Sequence, residues 1–195
     1  PHEIALRLQL LKPLPGTGLT RDLALGPQSP ITILPEMAET LDNAPYVVIN
    51  IGARLVEKRL STAQYADIGR MISQRDMKPV FTYGPDEALL ARQAAQLVDG
   101  AILAPPTNLT ALAALMMDAK AVISCDTGPM HLAVALNTPT CGIFVNTAPE
   151  RYGYTHHHHC AVDAREGLSK SELSRIQTWI DSQSRSQKPD SPAVS

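Results

Sequence analysis

From Tyr46 to Phe144 short apolar runs alternate with stretches of helical spacing. The runs are 46–51, 79–83, 100–103, 121–125 and 140–144, and the helical stretches are 61–73, 86–97, 108–119 and 128–136. The runs are mainly apolar and do not alternate with polar residues, as in Val47-Val48-Ile49 and Ala121-Val122-Ile123. That pattern predicts strands covered on both faces, which means a parallel sheet. Strand and helix in strict alternation then predict an α/β, Rossmann-like, doubly wound sheet. The helix signals agree. Ser61 is placed to cap a helix whose apolar face is Tyr65, Ile68, Met71 and Ile72. Asp86 and Glu87 open the next, where the helix dipole favours acids. Thr107 or Asn108 caps the third.

The flanks are different. Residues 1–45 carry seven prolines, including Pro13, Pro15, Pro35 and Pro45. They read as an irregular connecting segment with a short helix at 4–11 and a short strand at 31–34. Residues 169–182 read as a last helix. Ser169 and Glu172 have capping-box spacing, and Leu173, Ile176, Trp179 and Ile180 form its apolar face. The expected organisation is therefore a connection over 1–45, a Rossmann-like domain over 46–182 and a polar, disordered tail over 183–195.

Composition narrows the function classes. Seventeen basic against nineteen acidic residues give a net charge of -2, which argues against a nucleic-acid partner. No run approaches the roughly 20 apolar residues of a membrane span. Three cysteines do not make a disulfide framework and suggest a reducing compartment. Cys125 and Cys141 fall on core strands and read as buried thiols. No Gly-x-Gly-x-x-Gly follows the first strand, which counts against a dinucleotide oxidoreductase.

In open α/β sheets ligands bind beyond the carboxyl ends of the strands. The first strand ends in Gly52, followed by Arg54, Lys58 and Arg59. Such cations suit a phosphate, or else form a solvated basic loop. The second ends in Tyr83-Gly84-Pro85-Asp86-Glu87, whose acids would accept from ribose hydroxyls or simply start a helix. The third leads into Pro105-Pro106, a stiff wall or a plain cap. The fourth ends in Asp126-Thr127-Gly128-Pro129-Met130-His131. There Thr127 and Gly128 open a helix whose free N–H groups and dipole favour an anion, and His131 sits within reach of the same ligand. Packing has no need of such a polar cluster. His156-His157-His158-His159-Cys160 invites a metal reading. Histidines alternating along a strand would point to opposite faces, so a loop or an edge strand competes with it.

Residues 126–140, Asp-Thr-Gly-Pro-Met-His-Leu-Ala followed by an Ala-rich turn and Pro139, resemble the signature of the lipopolysaccharide heptosyltransferases, glycosyltransferase family nine. Asn50-Ile51-Gly52-Ala53-Arg54 with Lys58-Arg59, Gly84-Pro85-Asp86-Glu87, and Leu109, Leu112 and Ala113 resemble other parts of that family's donor-binding half. The resemblance runs from about Tyr46 to Phe144.

It implies the C-terminal half of a two-domain GT-B glycosyltransferase, binding a nucleotide sugar such as ADP-heptose. The implied transfer inverts the anomeric centre and ends on a lipopolysaccharide core acceptor, with no metal or other cofactor. Lys58 would neutralise the diphosphate and Glu87 would hold the ribose. Thr127 and Gly128 would donate to phosphate, while Asp126 and His131 would face the sugar and diphosphate. The catalytic base would belong to an acceptor domain that this chain lacks. The last helix would cross to that domain, leaving its apolar face without a partner here. The implied setting is cytoplasmic and peripheral to the inner membrane. A non-catalytic nucleotide-sugar-binding module, completed by a separate acceptor chain, is the alternative.

Overall fold

The computed structural model describes residues 34–52, 56–156 and 158–185. The predicted helix at 4–11 and nearly all of the predicted strand at 31–34 lie outside them. Within them the chain runs α1 (Pro35–Leu41), β1 (Tyr46–Asn50), a 3₁₀ turn (Val56–Lys58), α2 (Thr62–Ser73), β2 (Lys78–Thr82), α3 (Ala88–Gln96) and β3 (Ile102–Leu103). It continues with α4 (Leu109–Asp118), β4 (Ala121–Cys125), α5 (Gly128–Ala135), β5 (Thr140–Phe144), α6 (Pro149–Tyr152), β6 (Cys160–Asp163) and α7 (Lys170–Arg185).

The strands form one sheet in the order β3-β2-β1-β4-β5-β6, every pair parallel. This is the doubly wound α/β arrangement. The order reverses between β1 and β4, so the loops after those two strands diverge and leave a crevice.

Strand periodicity divides the core into two layers. Val47 and Ile49 point to the face covered by α2, α3 and α7, where they join Tyr65, Ile68, Ile72, Ala91, Ile176 and Ile180. Tyr46 and Val48 point to the other face, with Met37 and Leu41 of α1, Leu115 and Met116 of α4, and Ala133 of α5. Both layers are closed by local signals. Ser61 accepts from the Gln64 backbone, and the Gln64 side chain accepts in return from the Ser61 backbone, which makes a capping box. Asn108 rather than Thr107 caps α4, its Oδ1 accepting from Ala111 N at 2.8 Å.

Four expectations need correction. Residues 34–41 are not irregular: Pro35 occupies the first turn of α1. Proline there loses no helical hydrogen bond and comes with its φ already set, so it starts the helix instead of breaking it. The sheet has a sixth strand, β6, paired in register with β5. Asp86 and Glu87 precede α3, with Glu87 at its N-cap, so no acid lies in its first turn. Finally, α7 runs to Arg185, into the stretch expected to be disordered, and its apolar face is covered. Ile176 and Ile180 are fully buried in the α2-side layer, Arg75 of α2 pairs with Asp181, and the Trp179 indole donates to His158 O at 3.0 Å. Ser169 accepts from Ser171 N and its own N–H donates to Glu172 Oε2, so the cap forms as the spacing suggests. Among the described residues no helix is long and apolar enough to cross a membrane.

Candidate functional site

At the carboxyl ends of β2, β1 and β4 a buried polar ladder crosses the sheet. Thr82 Oγ1 donates to Asn50 Oδ1 at 3.1 Å, and Asn50 Nδ2 lies 3.4 Å from Ser124 Oγ. Ser124 in turn shares a 3.1 Å hydrogen bond with Thr127 Oγ1. Asn50, Thr82 and Ser124 are each at most 2% exposed. Polar groups buried that deeply persist only when paired, and the ladder fixes the three strand tips relative to one another. The sequence reading gave none of the three a role of its own, although Asn50 falls in the family-like segment at the end of β1, because each sits inside an otherwise apolar strand.

Above the ladder lies Asp126, one residue past β4 and 7% exposed. Lys58 Nζ, from the 3₁₀ turn after β1, donates to Asp126 Oδ2 at 3.0 Å. The Thr147 hydroxyl, from the loop after β5, donates to the same oxygen at 2.7 Å. His131 Nε2 stands 3.7 Å from Asp126 Oδ1, a polar contact long for a hydrogen bond. Burial alone would raise the Asp126 pKa. The polar groups of His131, Thr147 and Lys58, with the Lys58 charge, outweigh burial and hold it well below the ordinary carboxylate range. Asp126 is therefore an anion at every physiological pH.

His131 lies in the first turn of α5. Its Nδ1 shares a 3.0 Å hydrogen bond with the Tyr154 hydroxyl, and the two rings meet edge to face at 5.7 Å. Tyr154 is 5% exposed, packed with Met130, Val134 and Phe144. Thr147 and Tyr154 were not foreseen, since both come from the β5–β6 connection, where the histidine run was the one feature that stood out.

Thr127 takes the N-cap position of α5 in extended conformation, yet its side chain does not cap the helix. It turns back instead to donate to Cys125 O at 3.2 Å. A Cβ placed on Gly128 would meet nothing within 4 Å. So the amino end of α5 lacks a side-chain acceptor and faces open space, which suits an anion.

Glu87 is placed differently. Its carboxylate is 6% exposed and is held by Arg59, which follows Lys58 directly. Gly84 is needed there: a Cβ on it would come 2.5 Å from Glu87 Oε2. The structure thus joins Lys58, Asp126, His131, Thr127 and Gly128 in one site. It sets Glu87 beside that site, tied to it through the Lys58-Arg59 dipeptide. Arg54 lies outside the described residues.

The histidine run does not alternate along a strand. His156, His158 and His159 fall in the turn before β6. The rings of His156 and His159 are 5.4 Å apart and those of His158 and His159 4.5 Å apart. Among the described residues no three His, Cys, Asp or Glu side chains are placed to share a metal.

Comparison with known proteins bears on this arrangement. Residues 25–179 match the family model for glycosyltransferase family 9 (heptosyltransferase). The chain is 30% identical over 116 residues to lipopolysaccharide heptosyltransferase 1 of Pseudomonas aeruginosa, covering 58% of this chain and 32% of that protein. It spans about a third of the length of the curated relatives it matches. Among solved structures it superposes on a family 9 glycosyl transferase from Veillonella parvula with a TM-score of 0.73. The identity there is 20%, over 94% of this chain and 60% of that one. It superposes on E. coli heptosyltransferase WaaC with ADP at a TM-score of 0.63 and 23% identity, over 82% of this chain and 52% of that one.

Proposed function

The chain belongs to glycosyltransferase family 9, the heptosyltransferase family, and on that premise we propose that the crevice between the tips of β1 and β4 binds the diphosphate of an ADP-heptose donor. The parallel α/β fold is that of GT-B heptosyltransferase structures. The observation that carries the reading is the pairing of Lys58 with Asp126 beside the uncapped amino end of α5. These are one side-chain cation and one partial positive charge fixed in the backbone, side by side at the crevice.

In an inverting transfer the acceptor hydroxyl attacks the anomeric carbon as the bond to the diphosphate breaks. Negative charge then builds on the leaving phosphate. Donors already aimed at that charge lower the barrier most. The N–H groups opening α5 are so aimed, because their hydrogen bonds need no rearrangement when the charge appears. Lys58 adds a full charge, and Asp126 keeps its ammonium at the crevice when donor is absent. Thr147 and His131 hold Asp126 in place. Glu87 takes the ribose, with Arg59 fixing its carboxylate. The acceptor, a lipopolysaccharide core sugar, and the general base belong to a second domain, and the reaction takes place at the cytoplasmic face of the inner membrane.

Calorimetric titration tests the reading. ADP and ADP-heptose should bind this chain, and UDP-sugars should bind more weakly. If the full-length gene product bound ADP no better than UDP, or if Lys58→Ala bound ADP as well as the native chain, the proposal would be wrong.

A further inference from the structure

Cys141 and Cys160 are register partners on the neighbouring parallel strands β5 and β6, so both side chains leave the sheet on the same face. Adjacent strands lie about 4.8 Å apart, inside the Cα separation that a disulfide accepts. Their surroundings differ. Cys141 is fully buried, while Cys160 is partly open. The Cys141 thiol, donating a hydrogen bond, and the Arg175 guanidinium of α7 draw Cys160 below the usual thiol range. The same contact, with burial, pushes Cys141 above it. One sulfur is thus an accessible nucleophile and the other a resolving thiol already against it. The third cysteine, Cys125, sits one strand further in, where burial pushes its thiol up and Tyr65 shares a 3.5 Å contact with it.

We propose that Cys141 and Cys160 form a reversible oxidation site, closed to a disulfide by peroxide. This goes beyond the donor-site reading and does not depend on it. The Cys160 thiolate attacks one peroxide oxygen. An S–O bond forms, the O–O bond breaks, and the departing hydroxide takes a proton to become water. The Cys141 sulfur then attacks the Cys160 sulfenic acid. The S–S bond forms, the S–O bond breaks, and hydroxide leaves with the Cys141 proton as a second water. Two electrons pass from the thiols to the peroxide. Parallel side chains stay about as far apart as their strands, wider than the relaxed Cβ spacing of a disulfide. The bond is therefore strained and easily reduced, as suits a reversible modification. The two cysteines also bracket the connection that carries Thr147 and Tyr154 to Asp126 and His131, so the modification ties the two ends of a wall of the crevice.

The test is to treat the full chain with hydrogen peroxide, block free thiols, and read intact mass and peptide maps. The expected product is lighter by two hydrogens, links the peptides bearing Cys141 and Cys160, and leaves Cys125 free. Dithiothreitol should restore the reduced mass. Cys160→Ser and Cys160→Ala should each abolish the link, while Cys125→Ser should leave it intact. Arg175→Gln, at an exposed position that cannot unfold the core, should slow its formation several-fold. The proposal is overturned if oxidation only adds oxygen to single cysteines, if the link involves Cys125 or a second chain, or if it persists in either Cys160 variant.

Discussion

Lys58 and Asp126 are 68 positions apart in the chain, yet the ammonium of one sits 3.0 Å from the carboxylate of the other. The contact exists because β1 and β4 are neighbours at the point where the sheet reverses its winding. The loops leaving them open to either side of one crevice.

A first expectation concerns that cation. Lys58→Ala should weaken ADP and inorganic pyrophosphate by roughly tenfold or more, about 1.4 kcal/mol. Adenosine, which has no phosphate, should be unaffected. Calorimetry with the three ligands reads this directly, and an equal loss for adenosine would mean that the substitution disturbed the fold.

Asp126 has a pKa depressed by its partners. Its ionisation therefore stabilises the native state above the unfolded carboxylate pKa of about 3.9. The contribution is lost as pH falls through the lower native value. Asp126→Asn should be less stable than the native chain near neutrality, by about 1–3 kcal/mol for the broken charged hydrogen bonds. The gap should shrink as pH drops below about 4. Urea unfolding at a series of pH values measures it, and a pH-independent gap would count against the ion pair.

Arg59 should matter to the nucleoside and not to the phosphates. Arg59→Gln releases the Glu87 carboxylate from its partner, so ADP should bind several-fold more weakly while pyrophosphate binds as before. Equal losses for both ligands would place Arg59 on the diphosphate instead.

Tyr154→Phe keeps the buried ring and removes the hydroxyl from His131 Nδ1. One hydrogen bond contributes about 0.5–1.5 kcal/mol. ADP-heptose affinity should fall by no more than about tenfold, with a thermal midpoint close to native. A large drop in the midpoint with intact affinity would make Tyr154 a packing residue only.

A core prediction follows from Gly142, in the middle of β5. A Cβ there would stand 2.6 Å from Met130 Sδ and 3.0 Å from the Phe144 ring. Gly142→Ala should cost about 1–3 kcal/mol by overpacking. It should also push α5 outward, so donor binding falls along with stability in the same denaturation and titration experiments.

Much of this was legible beforehand, for specific reasons. β4 and β5 lie where the mainly apolar runs 121–125 and 140–144 put them, because a strand buried on both faces stands out as a short apolar block between polar turns. The Asp126–His131 segment stood out because strand tip, glycine and helix start coincide there. What was missed had weaker local signals. Pro35 starts α1, but a proline reads as a breaker until its place in the first turn is known. β6 has four residues and follows a histidine run, too little alternation to identify. Arg59 meeting Glu87, and Thr147 and Tyr154 reaching Asp126 and His131, are contacts between loops distant in sequence. Only the strand order brings them together.

Thr127 turns its hydroxyl toward the strand it leaves and not toward the helix it begins. The amino end of α5 therefore goes without the roughly 1 kcal/mol that a side-chain cap contributes. An anion seated there supplies what the side chain withholds, so ligand should raise the thermal midpoint, and go on raising it with the logarithm of its concentration once that exceeds Kd. Stability and recognition compete for the same N–H groups. A variant that capped α5 from within would melt later and bind less.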